Sequence, residues 1–124
     1  MAKIWLVEDD VNLAHLTKIS LVKKGHEVIV FNDAVKAVEE TKKRKPDLIL
    51  MDVMLPGLSG PEAVKLLRKD PNSRDIPVIF LTALLSSGEK DLGISVDGIN
   101  YKSLGKPYDI KQMFELVEST LGKR

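Results

Sequence analysis

The chain has 124 residues, 19 basic and 18 acidic, a formal net charge of +1 and no cysteine. The length fits one compact domain, residues 1–124. The lack of cysteine excludes disulfides, zinc–thiolate sites and cysteine nucleophiles, and the balanced charge argues against direct nucleic-acid binding. Hydrophobic residues at 44% and charged ones at 30% are ordinary for a globular rather than a disordered chain. His15 and His26 are too few for a metal cluster and read as exposed or satisfied helix and turn residues. No apolar run is long enough to span a bilayer, and Met1-Ala2-Lys3-Ile4 leads into a strand-like run rather than a signal peptide, so the expectation is a cytoplasmic domain with no membrane partner.

Along the chain, a strand-then-helix rhythm recurs. Ile4-Trp5-Leu6-Val7 is a continuous apolar run, the pattern of a strand covered on both faces. Residues from about Asp10 to Lys24 predict a helix, with Leu13, Leu16, Thr17, Ser20 and Leu21 at three-and-four spacing and Gly25 just past its end. Asp10 reads as its cap. Val28-Ile29-Val30-Phe31 is a second strand; Asp33 caps the next helix, with Val35 and Val38 inward and a solvated Lys42-Lys43-Arg44-Lys45 end. Leu48-Ile49-Leu50-Met51 is the third strand. Gly60-Pro61 opens a short helix to about Lys69, ended by Asp70-Pro71.

Val78-Ile79-Phe80-Leu81 is the fourth strand. A helix is expected from Ser86 to Gly98, against the tendency of Gly88, Gly93 and Gly98. A fifth strand falls between Asn100 and Gly105, and Asp109 caps a last helix whose stripe is Ile110, Met113, Phe114, Val117 and Leu121. Five strands alternating with five helices imply a parallel sheet with helices on both faces.

Polar residues close the strands: Glu8, Asp9 and Asp10 after the first, Asp52 after the third, Thr82 after the fourth, Lys106 after the fifth. In a doubly wound sheet these ends share one edge, where such folds bind ligands. Two carboxylates about 5 Å apart repel by about 3 kcal/mol at an effective dielectric near 20. Mg²⁺, a hard cation held through a few carboxylates, would offset that, and Lys106 adds a fixed positive charge. The set suits phosphoryl transfer, in which positioning and charge stabilisation do most of the work.

Four blocks carry a resemblance: Ile4-Trp5-Leu6-Val7-Glu8-Asp9-Asp10, Leu50-Met51-Asp52-Val53-Met54-Leu55-Pro56-Gly57-Leu58-Ser59-Gly60, Pro77-Val78-Ile79-Phe80-Leu81-Thr82-Ala83 and Lys106-Pro107-Tyr108. Together they resemble the signature blocks of response-regulator receiver domains of two-component systems. The resemblance implies a flavodoxin-like α/β/α fold with five parallel strands in the order 2-1-3-4-5. It assigns phospho-acceptance to Asp52, direct Mg²⁺ ligation to Asp9 and water-mediated ligation to Glu8. Asp52 shares the metal, and Met54 lends it a backbone carbonyl. Thr82 matches the switch hydroxyl, Lys106 the pairing lysine, and Lys106–Pro107 a bond often cis in the family. It further implies a sensor histidine kinase or phosphotransfer protein as donor, a downstream protein as target, and self-directed chemistry rather than enzyme turnover.

Two features depart from the family pattern. From Thr82 to Lys106 the chain is about two residues longer than usual. Ser103 stands where a switch aromatic is usual, with Tyr101 two residues earlier, so either a bulge restores Tyr101 to that role or the threonine–aromatic coupling is absent. Gly88, Gly93 and the consecutive Glu89, Lys90 and Asp91 speak against a salt-bridged dimer face, so a mainly monomeric domain is expected. Met54 and Leu84, both apolar, predict slow loss of the phosphoryl group.

Three other readings compete. An adaptor indifferent to phosphorylation would typically lose an acid, the threonine or the lysine, all present here. A flavin carrier would want Ser, Thr and Gly donors after the first strand, whereas Glu8-Asp9-Asp10 repels phosphate. A Mg²⁺ phosphohydrolase would show an acid two residues after its nucleophile, where this chain has Met54.

Overall fold

The computed structural model describes residues 1–83 and 93–122. Five strands form the parallel core: β1 (Lys3–Val7), β2 (Glu27–Phe31), β3 (Leu48–Asp52), β4 (Val78–Thr82) and β6 (Ile99–Gly105). A short β5 (Ile94–Val96) lies antiparallel on the outer side of β6. The sheet order is β2-β1-β3-β4-β6-β5, so the parallel core keeps the expected 2-1-3-4-5 arrangement. Four helices accompany it among the described residues: α1 (Val11–Lys23), α2 (Ala34–Lys43), α3 (Gly60–Lys69) and α4 (Ile110–Leu121).

Alternation along the strands sends side chains into two cores. Trp5, Val7, Ile49, Met51 and Phe80 pack with Ala37 of α2 and Val64 and Leu67 of α3. Ile4, Leu6, Leu50 and Leu81 pack with Ala14 and Leu21 of α1 and Met113 and Val117 of α4. Trp5 is core as expected, its indole N–H donating to Thr41 Oγ1 at 3.0 Å. Asp10, Asp33, Ser59 and Asp109 each cap a helix, Ser59 through a reciprocal bond with Glu62. Gly25 at φ +93 closes α1, with Gly25 N–H bonded to Val22 O and His26 N–H to Leu21 O. That is a Schellman stop, which needs the left-handed residue. His26 is satisfied: its Nδ1 accepts from Ala2 N–H and its Nε2 lies 3.0 Å from Glu118 Oε1.

Three expectations are corrected. Of the helix expected over Ser86–Gly98, residues 86–92 lie outside the described residues, as do Leu84, Gly88, Glu89, Lys90 and Asp91. Its described C-terminal part is instead β5 and the turn to β6. Asp97 at φ +50 and Gly98 at φ +81 make a two-residue hairpin turn, whose twist matches that of paired strands. Ile94 and Val96 then pack into the core beside α3. On α1, Leu16 is 61% exposed, and on α2, Val35 is also exposed; the buried faces are Ala14, Thr17 and Leu21, and Ala34, Ala37, Val38 and Thr41. Small side chains let both helices sit close to the sheet. Ile110 is exposed too, leaving Met113 and Val117 as the buried centre of the α4 stripe. Among the described residues no helix is long and apolar enough to cross a membrane.

Candidate functional site

Strand register assembles the site. Val7 pairs with Met51, so the next residues, Glu8 and Asp52, stand abreast at the ends of β1 and β3. Thr82 pairs with Gly105, and Lys106 N–H donates to Thr82 O at 2.8 Å, which brings the lysine to the same edge. Glu8, Asp9 and Asp52 each offer a carboxylate oxygen within 4.8 Å of the others. Residues from four strands thus converge although the acids and the lysine are far apart in sequence.

Burial differs sharply among them. Glu8 is 1% exposed, Asp52 5% and Thr82 1%, whereas Asp9 faces solvent. Lys106 Nζ lies 2.5 Å from Asp52 Oδ2 and 2.6 Å from Glu8 Oε1. The other Asp52 oxygen accepts from Met54 N–H at 2.9 Å, and Glu8 Oε2 accepts from Asp10 N–H at 3.2 Å. Burial lifts the Glu8 carboxyl to about 7; Lys106 opposes that rise and Asp52 adds to it. Burial also works against the Lys106 charge, but the two carboxylates outweigh it and hold the ammonium above its ordinary pKa.

The oxygen cluster fits a small hard cation. Three carboxylates outnumber the one ammonium, and Glu8 Oε1, though buried, has no aligned hydrogen-bond donor. Its near neighbour is the Lys106 ammonium, 2.6 Å away, which Asp52 shares. All candidate ligands are oxygen atoms, the donor set Mg²⁺ prefers. Asp10 belongs elsewhere: its Oδ1 accepts Leu13 N–H at 3.1 Å as the α1 cap.

Of the residues singled out from sequence at the strand ends, Glu8, Asp9, Asp52, Thr82 and Lys106 lie at this edge. The Lys106–Pro107 peptide is cis. Around Tyr101 the β4–β6 register runs without interruption from Ile79–Lys102 to Thr82–Gly105, so no bulge moves Tyr101 into the position of Ser103. Tyr101 instead stands edge-on to Phe80, ring centroids 5.8 Å apart, and its hydroxyl accepts from Arg68 at 3.4 Å. Sequence reasoning missed Gly60. A Cβ there would lie 2.5 Å from Asp52 O, so the first residue of α3 must be glycine to pass the acceptor strand. Its position after Leu55-Pro56-Gly57-Leu58-Ser59 was the available signal. It also missed the bond between the Tyr108 and Thr17 hydroxyls, which no local pattern announces.

The chain is 34% identical over 121 residues to the DNA-binding dual master transcriptional regulator RpaA of Synechocystis, covering 98% of this chain and 49% of that protein. It spans about half the length of the curated relatives it matches. The receiver domain of sensor histidine kinase PA1611 of Pseudomonas aeruginosa, with magnesium in its active-site cleft, superposes with a TM-score of 0.83 at 28% identity, covering 98% of each chain. Chemotaxis protein CheY4 of Vibrio cholerae gives a TM-score of 0.83 at 27% identity over 97% of this chain and 98% of that one. The model of the response regulator receiver domain matches residues 4–118, and the chain therefore belongs to that family, the phosphorylation-switched modules of two-component signalling.

Proposed function

We propose that Asp52 is the phospho-acceptor of this receiver domain and that Glu8, Asp9, Asp52 and the Met54 carbonyl hold the Mg²⁺ that its phosphorylation requires. The observation that carries this reading is the contact of Lys106 Nζ with both Asp52 and Glu8 at 2.5 and 2.6 Å. It marks Asp52 as the acid with a fixed cation on one side and spare carboxylates on the other. A bound Mg²⁺ would supply charge neutralisation for the incoming phosphoryl oxygens. Asp52 attacks through a carboxylate oxygen, forming an acyl phosphate as the donor's P–O or P–N bond breaks toward the leaving group. Lys106 then follows the negative charge outward from the carboxylate to the phosphoryl oxygens, and Thr82, at the adjoining strand end, supplies a hydroxyl.

The donor fitting this chemistry is a sensor histidine kinase or phosphotransfer protein in the cytoplasm, and the output is a changed contact with a downstream protein. The domain acts on itself rather than turning over a substrate, and stays mainly monomeric. Acetyl phosphate should add one phosphoryl mass only when a divalent cation is present. Asp9→Ala should weaken Mg²⁺ binding, while Asp10→Ala should leave it intact and instead cost about 1 kcal/mol of stability as a lost helix cap. A larger loss of Mg²⁺ affinity in Asp10→Ala than in Asp9→Ala would contradict the assignment.

A further inference from the structure

Lys106 is held on one side only by the sheet. Its N–H is bonded to Thr82 O, but the chain then leaves β6 through Pro107, which has no N–H to give, and reaches α4 only after Asp109. Between them Tyr108 turns inward. Its ring packs against the core that includes Leu6, Leu81 and Met113, and its hydroxyl bonds to Thr17 on the buried face of α1. Burial raises the Tyr108 pKa, so the phenol stays a neutral hydroxyl able to serve as donor or acceptor. The same helix also fixes the acid loop. Asp10 caps α1 through Leu13 N–H, and the Asp10 N–H donates to Glu8 Oε2. α1 is thus a common rail, with the carboxylates tied to Asp10 at its N-cap and the lysine loop tied to Thr17, two turns further on.

We infer that the Thr17–Tyr108 hydroxyl pair is a positioning device for phosphoryl transfer, fixing the backbone beyond Lys106 to α1 so that the ammonium stays against Asp52 and Glu8. This rests on Asp52 being the acceptor. Tyr108 and Thr17 touch no reacting atom and act through Lys106. Removing the phenol oxygen keeps the ring's packing but frees the loop, letting Nζ sample positions away from the carboxylates.

The test compares the full chain with Tyr108→Phe, Thr17→Val, Thr17→Ser and the Tyr108→Phe/Thr17→Val double variant. Two readouts are taken: phosphorylation rate with acetyl phosphate, and Mg²⁺ affinity from amide chemical shifts during titration with the metal alone. Tyr108→Phe and Thr17→Val should each slow phosphorylation about fivefold, the rate equivalent of one net hydrogen bond, with the double variant no slower than either. Thr17→Ser, which restores the hydroxyl, should return to the wild-type rate. Mg²⁺ affinity should stay unchanged or tighten, because a displaced ammonium no longer repels the cation. A wild-type rate in Tyr108→Phe would overturn the inference. So would a fall in Mg²⁺ affinity in step with the rate, the mark of a generally loosened site. A wild-type chain that takes no phosphoryl group would overturn the Asp52 reading itself, before any variant is compared.

Discussion

Glu8→Gln should stabilise the metal-free protein at alkaline pH, although it removes a charged partner of Lys106. Glu8 is 1% exposed, and burial moves its carboxyl from 4.5 to about 7. Between those values the folded protein keeps a proton that the unfolded chain releases. The stability this confers is full below the unfolded value of 4.5 and is lost as pH rises through about 7. At about 1.4 kcal/mol per pH unit the loss is at most about 3 kcal/mol. Glutamine, like the protonated acid, carries no charge, keeps an oxygen that accepts from Asp10 N–H or from Lys106, and never ionises. In EDTA the variant should therefore match the wild type near pH 4 and exceed it by up to about 3 kcal/mol at pH 8. Urea unfolding followed by the fluorescence of Trp5, the single tryptophan, measures both. Added Mg²⁺ should narrow the gap, since a cation favours the charged carboxylate. A Glu8→Gln protein less stable than the wild type at pH 8 in EDTA would refute the reasoning, showing that the Lys106 pairing outweighs the cost of burying the charge.

Gly60→Ala should cost about 2 kcal/mol or more and slow phosphorylation, because the new methyl would lie 2.5 Å from Asp52 O and 3.2 Å from Phe80 Cε1; urea midpoint and acetyl phosphate labelling check both. Once formed, the phosphoryl group should persist for minutes rather than seconds, since Met54, 66% exposed two residues from the acceptor, cannot hydrogen-bond an attacking water. Met54→Asn should shorten that lifetime in a label-decay assay. Sedimentation with and without beryllofluoride should find a monomer in both, and a tight dimer only on activation would contradict the expected surface.

The strand core and the helix caps were legible because their signals are local. Buried apolar runs of four residues, Asp10, Asp33 and Asp109 before helices, and Gly25 after one all act within a turn of where they stand. The β5–β6 hairpin was misread although its signal was present. Asp97-Gly98 between Val96 and Ile99 is a hairpin turn by its chemistry, but Gly98 was counted only as a weak helix residue. The three-and-four spacing placed Thr17, Leu21 and Val38 inward correctly but carried Leu16 and Val35 with them, whereas α1 and α2 also approach the sheet on Ala14, and on Ala34 and Ala37. In the site, the residue types at the strand ends were readable. Their pairing was not: Lys106 with Glu8 and Tyr108 with Thr17 depend on register and helix placement across more than ninety residues.

The central claim is that one carboxylate, Asp52, receives the phosphoryl group. Borohydride reduction of the acetyl phosphate-treated protein, followed by peptide mass spectrometry, converts the acyl phosphate to a homoserine that marks its position. The account predicts that mark at Asp52, with none in Asp52→Asn. A mark at Asp9 or Asp10, or undiminished phosphorylation of Asp52→Asn, would contradict it.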